Sequence, residues 1–258
     1  MPDVSKRSTH PLDFQDLPQA IGAMAKKFFD GSAISLHAHK RHQLLYAVCG
    51  VMRLNTERTS LVVPPDHAVF IPAETLHTIG IHGDVDMRTL YIAPWISDSL
   101  KPGLRVLTVS ALLRELILEL SQEPVDYEAD SRAARIAHLI ECEINRADVL
   151  SLSVPLPRDP RLQRLCAAIL ADPSDNRTLN NWSEIAGASP RTLARLFESD
   201  LGMGFREWRQ RSRFHLALEA LSNGVSVARV AIDSGYNSPS AFTAAFSKTM
   251  GLKPSEIA

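Results

Sequence analysis

Short apolar segments, rich in branched or aromatic residues, recur between about residues 34 and 94. Gly, Pro, Asn or Asp bounds each of them, which is typical of strands separated by turns. The segments are Leu44–Val48, Val51–Leu54, Ser60–Val63, His67–Ile71 and Met87–Ile92. Many short strands at this close spacing predict a sandwich or a barrel.

The hydrophobic period changes to that of helices after the strands. The first apolar stripe is Leu112, Leu113, Leu116, Ile117 and Leu120, and the second is Ile136, Leu139, Ile140 and Ile144. Spacings of three and four residues predict two amphipathic helices. Their apolar faces are candidate dimer contacts, and covering one side of the barrel is the alternative.

Three prolines interrupt the chain within residues 148–160. Pro155, Pro157 and Pro160 cannot continue a helix and favour an extended linker. Beyond it the pattern predicts helices over Arg161–Ala171, Asn181–Ala186, Ser189–Leu201, Phe205–Ser222, Val227–Ser234 and Ser238–Met250. The sequence therefore predicts an α+β protein of two domains, residues 1–157 and an all-α domain of residues 158–258.

The helical part contains one pattern twice. Ser189–Phe197 and Ser238–Phe246 align at an offset of 49 residues, which also relates Gly202 to Gly251. Each copy opens with Ser and then Pro, which suits an N-cap followed by a first helical residue that needs no N–H. Apolar residues at i, i+3 and i+4 bury one helix face and leave the other small, polar or basic. A duplicated short helix of this kind can read DNA twice.

This duplicated region carries a specific set of motifs. They are Arg191–Phe197, Gly202, Phe205–Arg209, Val230–Ala231, Gly235–Phe242, Phe246, Gly251 and Pro254. The set closely resembles the DNA-binding domain of AraC/XylS-type transcription regulators over roughly residues 159–258. The resemblance implies two helix-turn-helix units joined by one long helix, with double-stranded DNA as the partner. A helix of about 18 residues is ~27 Å long, which can set two recognition helices roughly one DNA turn apart.

The exposed positions of the two copies are the candidate DNA contacts. They are Ser189, Arg191, Thr192, Arg195, Asn237, Ser238, Ser240 and Thr243. Arg191 and Arg195 share a helix face, and arginine in the major groove can bind O6 and N7 of guanine. The alternative is that these arginines stay solvated or contact phosphates only. The equivalent positions of the second copy are not basic, so we expect the first unit to supply most direct sequence readout.

The apolar residues of the two copies have the spacing of a helical core. We predict burial for Leu193, Phe197, Trp208, Phe242 and Phe246, and a structural role in the turn for Tyr236.

Composition and charge change this picture only slightly. The 258 residues are 45% hydrophobic and 22% charged, and no apolar run approaches the ~20 residues of a membrane span. The net charge of −1 divides into +3 for residues 158–258 and −4 for residues 1–157, which agrees with a C-terminal face that meets phosphate. Cys49, Cys142 and Cys166 are expected to be small buried side chains in a reducing cytoplasm. The first residues lack the apolar core of a signal peptide.

Six of the nine histidines lie between residues 37 and 82. His37-Ala38-His39 with Gln43 and Gly50, followed by Ile71–His77, resembles the two motifs of the cupin jelly roll. In metal-binding cupins the matching positions hold two His and a Glu, and then one His. Here Gln43 replaces the glutamate, and Glu74 replaces the usual glycine of the second motif. The resemblance implies a jelly-roll β-barrel, followed by helices, whose interior holds one ligand.

The candidate ligand-binding residues are His37, His39, Gln43, Tyr46 and His77, and all of these except Tyr46 are also the candidate metal ligands. His37 and His39 point to the same side of a strand. With a third imidazole from a distant strand they can bind a divalent transition metal. The missing carboxylate favours a metal-free effector pocket, and metal binding is the alternative. We expect His42, His67 and His82 at the surface or in loops.

These features favour a cytoplasmic, dimeric transcription regulator whose N-terminal domain senses a small molecule or a metal ion. RNA polymerase is a further candidate partner, and no membrane contact is expected. The region from Gln43–Ala47 through Arg88–Tyr91 resembles a subgroup of these regulators whose genes often lie beside transporter genes, which implies control of an efflux pump. The rival hypothesis is a metal-dependent cupin enzyme with an appended helical domain. It leaves the duplicated helices unexplained, so we predict that the protein is not an enzyme.

Overall fold

A computed structural model gives the fold and describes residues 8–99, 103–150 and 152–257. Contacts between Cα atoms divide the chain into two compact units. The first unit contains Met1–Leu54 and Val63–Ser151, and the second contains Asn55–Val62 and Leu152–Ala258. Within the described residues, no helix has both the length and the apolar character needed to cross a membrane.

The strands form two sheets. They are β1 (Ile21–Phe28), β2 (Ala33–His37), β3 (His42–Ala47), β4 (Val51–Asn55), β5 (Thr59–Val63), β6 (His67–Ile71), β7 (His77–His82), β8 (Val85–Ile92), β9 (Arg105–Thr108), β10 (Val149–Leu150) and β11 (Ser153–Pro155). One sheet has the order β1-β8-β3-β6-β9-β10, and the other has the order β11-β5-β4-β7-β2. This double-sheet arrangement confirms the predicted jelly-roll class of sandwich.

Strand β1 was not among the strands predicted from the sequence. It pairs with β8 antiparallel over eight residues, from Ile21 opposite Ile92 to Phe28 opposite Val85. Its sequence contains Gly, Ala and Lys, which are depleted in strands. The pairing with β8 therefore decides its conformation, and local propensity does not.

Eight helices are present in the described residues. They are α1 (Ala111–Leu120), α2 (Arg132–Arg146), α3 (Pro160–Ala171), α4 (Leu179–Ala186), α5 (Pro190–Leu201), α6 (Phe205–Ser222), α7 (Val227–Asp233) and α8 (Pro239–Met250). Each predicted helix of the C-terminal region is present, with ends shifted by at most two residues.

The apolar stripes of α1 and α2 cover a sheet. Leu113 and Ile117 of α1 and Ile140 of α2 join one buried cluster with Leu44 and Leu90 of the six-stranded sheet. Only single apolar residues of these helices face outward, namely Leu112 (53% exposed) and Leu139 (47% exposed). The structure therefore supports the interpretation in which the apolar faces of α1 and α2 pack on one side of the barrel.

The linker between the predicted domains is extended and held at several points. β11 pairs with β5 antiparallel, and the N–H of Leu156 donates to the carbonyl of Arg58 at 2.8 Å. On its other side the indole N–H of Trp208 in α6 donates to the carbonyl of Pro155 at 2.9 Å. The extended conformation predicted from the three prolines is confirmed, but these bonds show that the segment is not a free tether.

One expectation about the cysteines is wrong. Cys166 is buried among α3 side chains, and burial raises the pKa of its thiol. Cys49 and Cys142 are exposed. They lie in a turn and on the outward face of α2, where no core packs against them.

Candidate DNA interface and effector cavity

Helix α5 is the first of the two duplicated helices predicted to contact DNA. Ser189 is its N-cap, with a hydroxyl that accepts the N–H of Thr192 at 3.2 Å and lies 2.9 Å from the Thr192 hydroxyl. Both hydroxyls are thus engaged in capping, which satisfies a helix-end N–H. At the other end Gly202 adopts a left-handed conformation (φ 68°) and ends the helix.

Packing divides α5 into two faces. Leu193 and Phe197 are completely buried, whereas Arg191 and Arg195 are exposed one turn apart. Neither arginine has an ion pair or a hydrogen bond with any described residue. Two unpaired guanidinium groups on one outward face form a surface that can accept phosphate or a guanine edge.

Helix α8 repeats this construction without the two arginines. Ser238 is the N-cap and accepts the N–H of Ala241 at 3.2 Å, and Gly251 ends the helix with φ 77°. Ser240 and Asn237 are exposed, and Thr243 is half-buried. Both helices have 12 residues, so the sequence repeat is also a structural repeat.

Helix α6 has 18 residues and packs against both helix-turn-helix motifs. Near its start Trp208 joins the buried cluster of α3, α4 and α5, with its ring 6.0 Å from that of Phe197. Further along, Phe214 packs against Phe242 at 5.9 Å and Phe246 at 5.2 Å between ring centroids. Tyr236 of the second turn stacks on Phe214 at 6.1 Å. The predicted core and turn roles of these aromatic residues are confirmed.

A cavity of about 270 Å³ lies in the first unit, between the two sheets. Its lining residues come from β1, β2, β3, β7 and β8 and include His37, His39 and Gln43. Apolar walls come from Met24, Ile34, Phe28, Ile79 and Met87, and Lys26 and Tyr91 add polar atoms. Sequence reasoning missed Lys26 and Met24, and identification of β1 as a strand would have found them through period-two alternation.

Three histidine rings gather at this cavity. One nitrogen from each of His37, His39 and His77 lies within 4.8 Å of the others. The ring centroids of His37 and His77 are 4.3 Å apart, because their Cα atoms are paired across β2 and β7. The structure therefore brings together the three histidines that the sequence singled out, and Gln43 lines the same cavity.

Backbone carbonyls fix the orientation of two of these rings. Nδ1 of His37 lies 2.7 Å from the carbonyl of Ser35, and Nδ1 of His77 lies 2.8 Å from the carbonyl of Thr75. A carbonyl can only accept, so Nδ1 carries the proton and Nε2 keeps its lone pair. A hydrogen bond from Nδ1 to a carbonyl is typical of histidines that bind a metal through the other nitrogen.

Burial favours the neutral form of two of these rings, those of His39 and His77. Burial, followed by the neighbouring His37 and His77, lowers the pKa of His39 to about 4. Burial also lowers the pKa of His77. The Nε2 atoms of His39 and His77 and Oε1 of Gln43 are buried without a hydrogen-bond partner among the described residues. Because buried polar atoms are normally paired, these three atoms fit a ligand or a metal ion.

Tyr46 does not belong to this cavity. It follows Gln43 in β3 by three residues, and alternation places it on the other face of the strand. There it is buried in the cluster under α1 and α2, and burial raises the pKa of its hydroxyl. This placement corrects the expectation that Tyr46 lines the ligand site.

The remaining histidines of the region lie in strands and not in loops. His42 begins β3, His67 begins β6 and His82 ends β7, and each is half-buried. Nδ1 of His42 accepts the N–H of Ala73 at 2.9 Å, and burial lowers the pKa of His42 and His67. They are structural residues at strand ends.

Comparisons with known proteins match both parts of the chain. A family model described as an AraC-like ligand binding domain matches residues 28–137, and one described as a helix-turn-helix domain matches residues 182–258. These matches and the fold define a DNA-binding transcription regulator with a ligand-binding domain, whose two domains are those of AraC-type regulators.

Named relatives are regulators too. The chain is 29% identical to the HTH-type transcriptional regulator NimR of Escherichia coli strain K12, over 85% of this chain and 80% of that protein. It is 22% identical to the probable transcriptional regulator LumQ of Photobacterium leiognathi, over 84% of this chain and 89% of that protein. Among solved structures, apo ToxT K231A from Vibrio cholerae aligns over 93% of this chain and 97% of its own, at 14% identity and a TM-score of 0.39. The alternative of a metal-dependent enzyme is set aside, because the domains and relatives are those of a regulator.

Proposed function

We propose that the protein reads one operator with two unequal recognition helices. α5 supplies direct base contacts through Arg191 and Arg195. Thr192 and the N-cap Ser189 contact the DNA backbone. α8 binds through Asn237, Ser238, Ser240 and Thr243, mostly by shape, thymine-methyl contact and phosphate. The single observation that carries this proposal is the pair of exposed, unpartnered arginines on α5, which α8 lacks.

Operator binding of two alanine variants tests the asymmetry. The operator is first selected from random duplexes with the full chain, and affinities are then measured by fluorescence anisotropy. A bidentate arginine–guanine contact contributes about 1–3 kcal/mol of discrimination, so Arg195→Ala should weaken binding roughly tenfold or more. Thr243→Ala should weaken it less than about threefold, since a methyl contact contributes less.

Arg135→Ala on α2 is the matched control, because Arg135 is also an exposed helical arginine but lies in the first unit. It should leave operator affinity unchanged. Equal losses for Arg195→Ala and Thr243→Ala contradict the asymmetry. If Arg195 contacts phosphate only, its variant lowers the salt slope by about one and keeps the sequence preference.

We further propose that His37, His39 and His77 hold a divalent transition metal in the sensing domain, residues 1–157, with Gln43 beside them. The proposal is supported by the lowered pKa values of His39 and His77, by the ring orientations of His37 and His77, and by the buried unpartnered atoms. When bound, the metal supplies a Lewis-acidic point for an effector. The protein supplies a preorganised ligand set and a largely apolar cavity.

Metal analysis of protein purified without a histidine tag tests this proposal. The wild type should retain close to one equivalent of a transition metal, and His37→Ala should lose it. His82→Ala, in the same sheet but outside the cluster, should keep it. If the wild type takes up no metal from a buffered supply, the proposed metal site is wrong. The cavity is then interpreted as a metal-free effector pocket.

Homodimerisation, RNA polymerase contact, a cytoplasmic location and control of a neighbouring transporter gene remain part of this proposal. The buried stripes of α1 and α2 leave only outward side chains such as Leu112 and Leu139 for a dimer contact. Sedimentation with and without operator DNA tests the dimer. Genome-wide footprinting of the purified protein tests the transporter gene and assigns activation or repression.

A further inference from the structure

The lining residues that the structure describes give the effector cavity no negative charge. Among its described lining residues none is Asp or Glu, and the metal-ligand candidates are three imidazoles. Gln43, whose Oε1 is buried without a partner, is neutral. A carboxyl group at this position would have added one negative charge.

A divalent ion in this cluster would therefore keep its full charge of +2. Neutral imidazoles share electron density with the ion but do not compensate its charge. A buried charge without a counter-charge is costly, and it is stabilised when an anion enters the same site. The cavity thus favours a negatively charged partner from outside the chain.

Lys26 adds a second positive charge at the same cavity. It lies on β1 among the lining residues, and its side chain is exposed at the rim. Its Nζ is 5.3 Å from the ring centroid of Phe28 and has no ion pair among the described residues. Lys27, the next residue, points to the other side of the strand and does not line the cavity.

The walls limit the rest of the ligand. Met24, Ile34, Ile79 and Met87 present apolar side chains. The volume of about 270 Å³ is below the roughly 300–1,000 Å³ of sites for drug-sized molecules. The body of the ligand must be small and largely apolar.

We propose that the effector is a small organic anion with an apolar body, whose anionic group is drawn to the metal-loaded histidine cluster, with Lys26 as a further positive charge at the rim of the same cavity. This inference rests on the proposed metal site and specifies the class of its ligand. Gln43 sets the requirement for an anion, because its neutral amide stands where a carboxylate would balance the charge of the metal.

The test uses two pairs of probes that differ only in charge. Benzoate is compared with benzamide, and butyrate with butyramide, by calorimetric titration of the full chain loaded with Co²⁺. At least one anion should bind tenfold or more tightly than its amide and should change the visible absorption of Co²⁺. Equal affinity within both pairs overturns the inference.

Three variants connect the preference to named residues. Gln43→Glu supplies the missing charge, so it should tighten Co²⁺ binding about tenfold and reduce the anion to the affinity of its amide. Lys26→Met should weaken the anion several-fold, and the matched control Lys27→Met should leave it unchanged. An anion preference that survives Gln43→Glu, or equal effects of the two lysine variants, also overturns the inference.

Co²⁺ uptake is measured first, in the absence of any probe, which separates the two proposals. Failure of the wild type to bind Co²⁺ at the histidine cluster overturns the metal site and this inference with it. The wild type could instead bind Co²⁺ normally, with His37→Ala abolishing this uptake, and bind anions and amides equally. In that case the metal site stands and only the inference of an anionic effector is overturned.

Discussion

Glu74 has an unusual backbone conformation in the turn before β7. Its φ is 60°, in the left-handed region, and its N–H donates to the carbonyl of His39 at 2.8 Å. One residue later, the carbonyl of Thr75 orients the His77 ring. This turn therefore positions two histidines of the cluster, and it does so with a side chain at a position that favours glycine.

Replacement of Glu74 by glycine should stabilise the protein. The left-handed conformation costs a non-glycine residue about 1–2 kcal/mol, and the greater freedom of unfolded glycine offsets part of this gain. We expect the free energy of unfolding to rise by about 0.5–1 kcal/mol, measured by urea denaturation with an unchanged m value.

Glu57→Gly is the control for this substitution, because Glu57 is an exposed loop residue without a positive φ. It should lower stability slightly, through unfolded-state entropy alone. If Glu74→Gly lowers stability as Glu57→Gly does, the strain assigned to Glu74 is wrong.

At the scale of elements, the helices of the second unit other than α6 begin with side-chain caps. Asp159 caps α3: its carboxylate accepts the N–H of Arg161 at 2.9 Å and pairs with the Arg161 guanidinium at 2.7 Å. Pro160 follows as the first helical residue. The hydrogen bond from the Arg161 side chain is the main cause that lowers the pKa of Asp159 to about 2.

This cap predicts a pH dependence of stability. A carboxyl whose pKa is lower in the folded state stabilises the protein above its unfolded pKa of roughly 4, and this contribution is lost as the pH falls through about 2. Asp159→Asn keeps a capping oxygen but removes the charge. The variant should be less stable than the wild type by up to about 1 kcal/mol at pH 7, because the ion pair is partly exposed.

Urea unfolding followed by tryptophan fluorescence measures this difference, and Trp182 and Trp208 report on the second unit. The difference between wild type and Asp159→Asn should be constant from pH 8 to pH 5 and should shrink below pH 4. A difference that grows as the pH falls would contradict the sign of the shift.

At the scale of the whole molecule, α6 connects the two helix-turn-helix units and fixes the distance between α5 and α8. Trp208 in its first half packs on the helix-turn-helix that contains α5. Phe214 in its second half packs on the helix-turn-helix that contains α8. Side chains buried on both units resist bending of the helix between them. The spacing of the two helices should therefore be fixed.

A fixed spacing predicts how the operator tolerates insertions. Five base pairs inserted between the two subsites place the second on the opposite face of the duplex, and ten restore the face but lengthen the distance by about 34 Å. Because α6 cannot lengthen, both insertions should weaken binding tenfold or more by anisotropy. Recovery of affinity at ten base pairs would show a flexible connection.

The sequence by itself determined the duplicated recognition helices and the identity of the three histidines. The caps Ser189 and Ser238, the prolines after them and the glycines Gly202 and Gly251 act within a few residues, so their effect is readable along the chain. His37, His39 and His77 could be singled out because their motifs resemble those of a known family.

Only the tertiary structure decided which residues surround those histidines. β1 becomes a strand because β8 pairs with it, and this pairing brings Met24 and Lys26 to the cavity. Tyr46 leaves the cavity because the strand alternates and the helices α1 and α2 cover its face. The pairing of β1 with β8 joins segments far apart in the chain, so neither local propensity nor spacing contains it, whereas strand alternation alone already separates Tyr46 from Gln43.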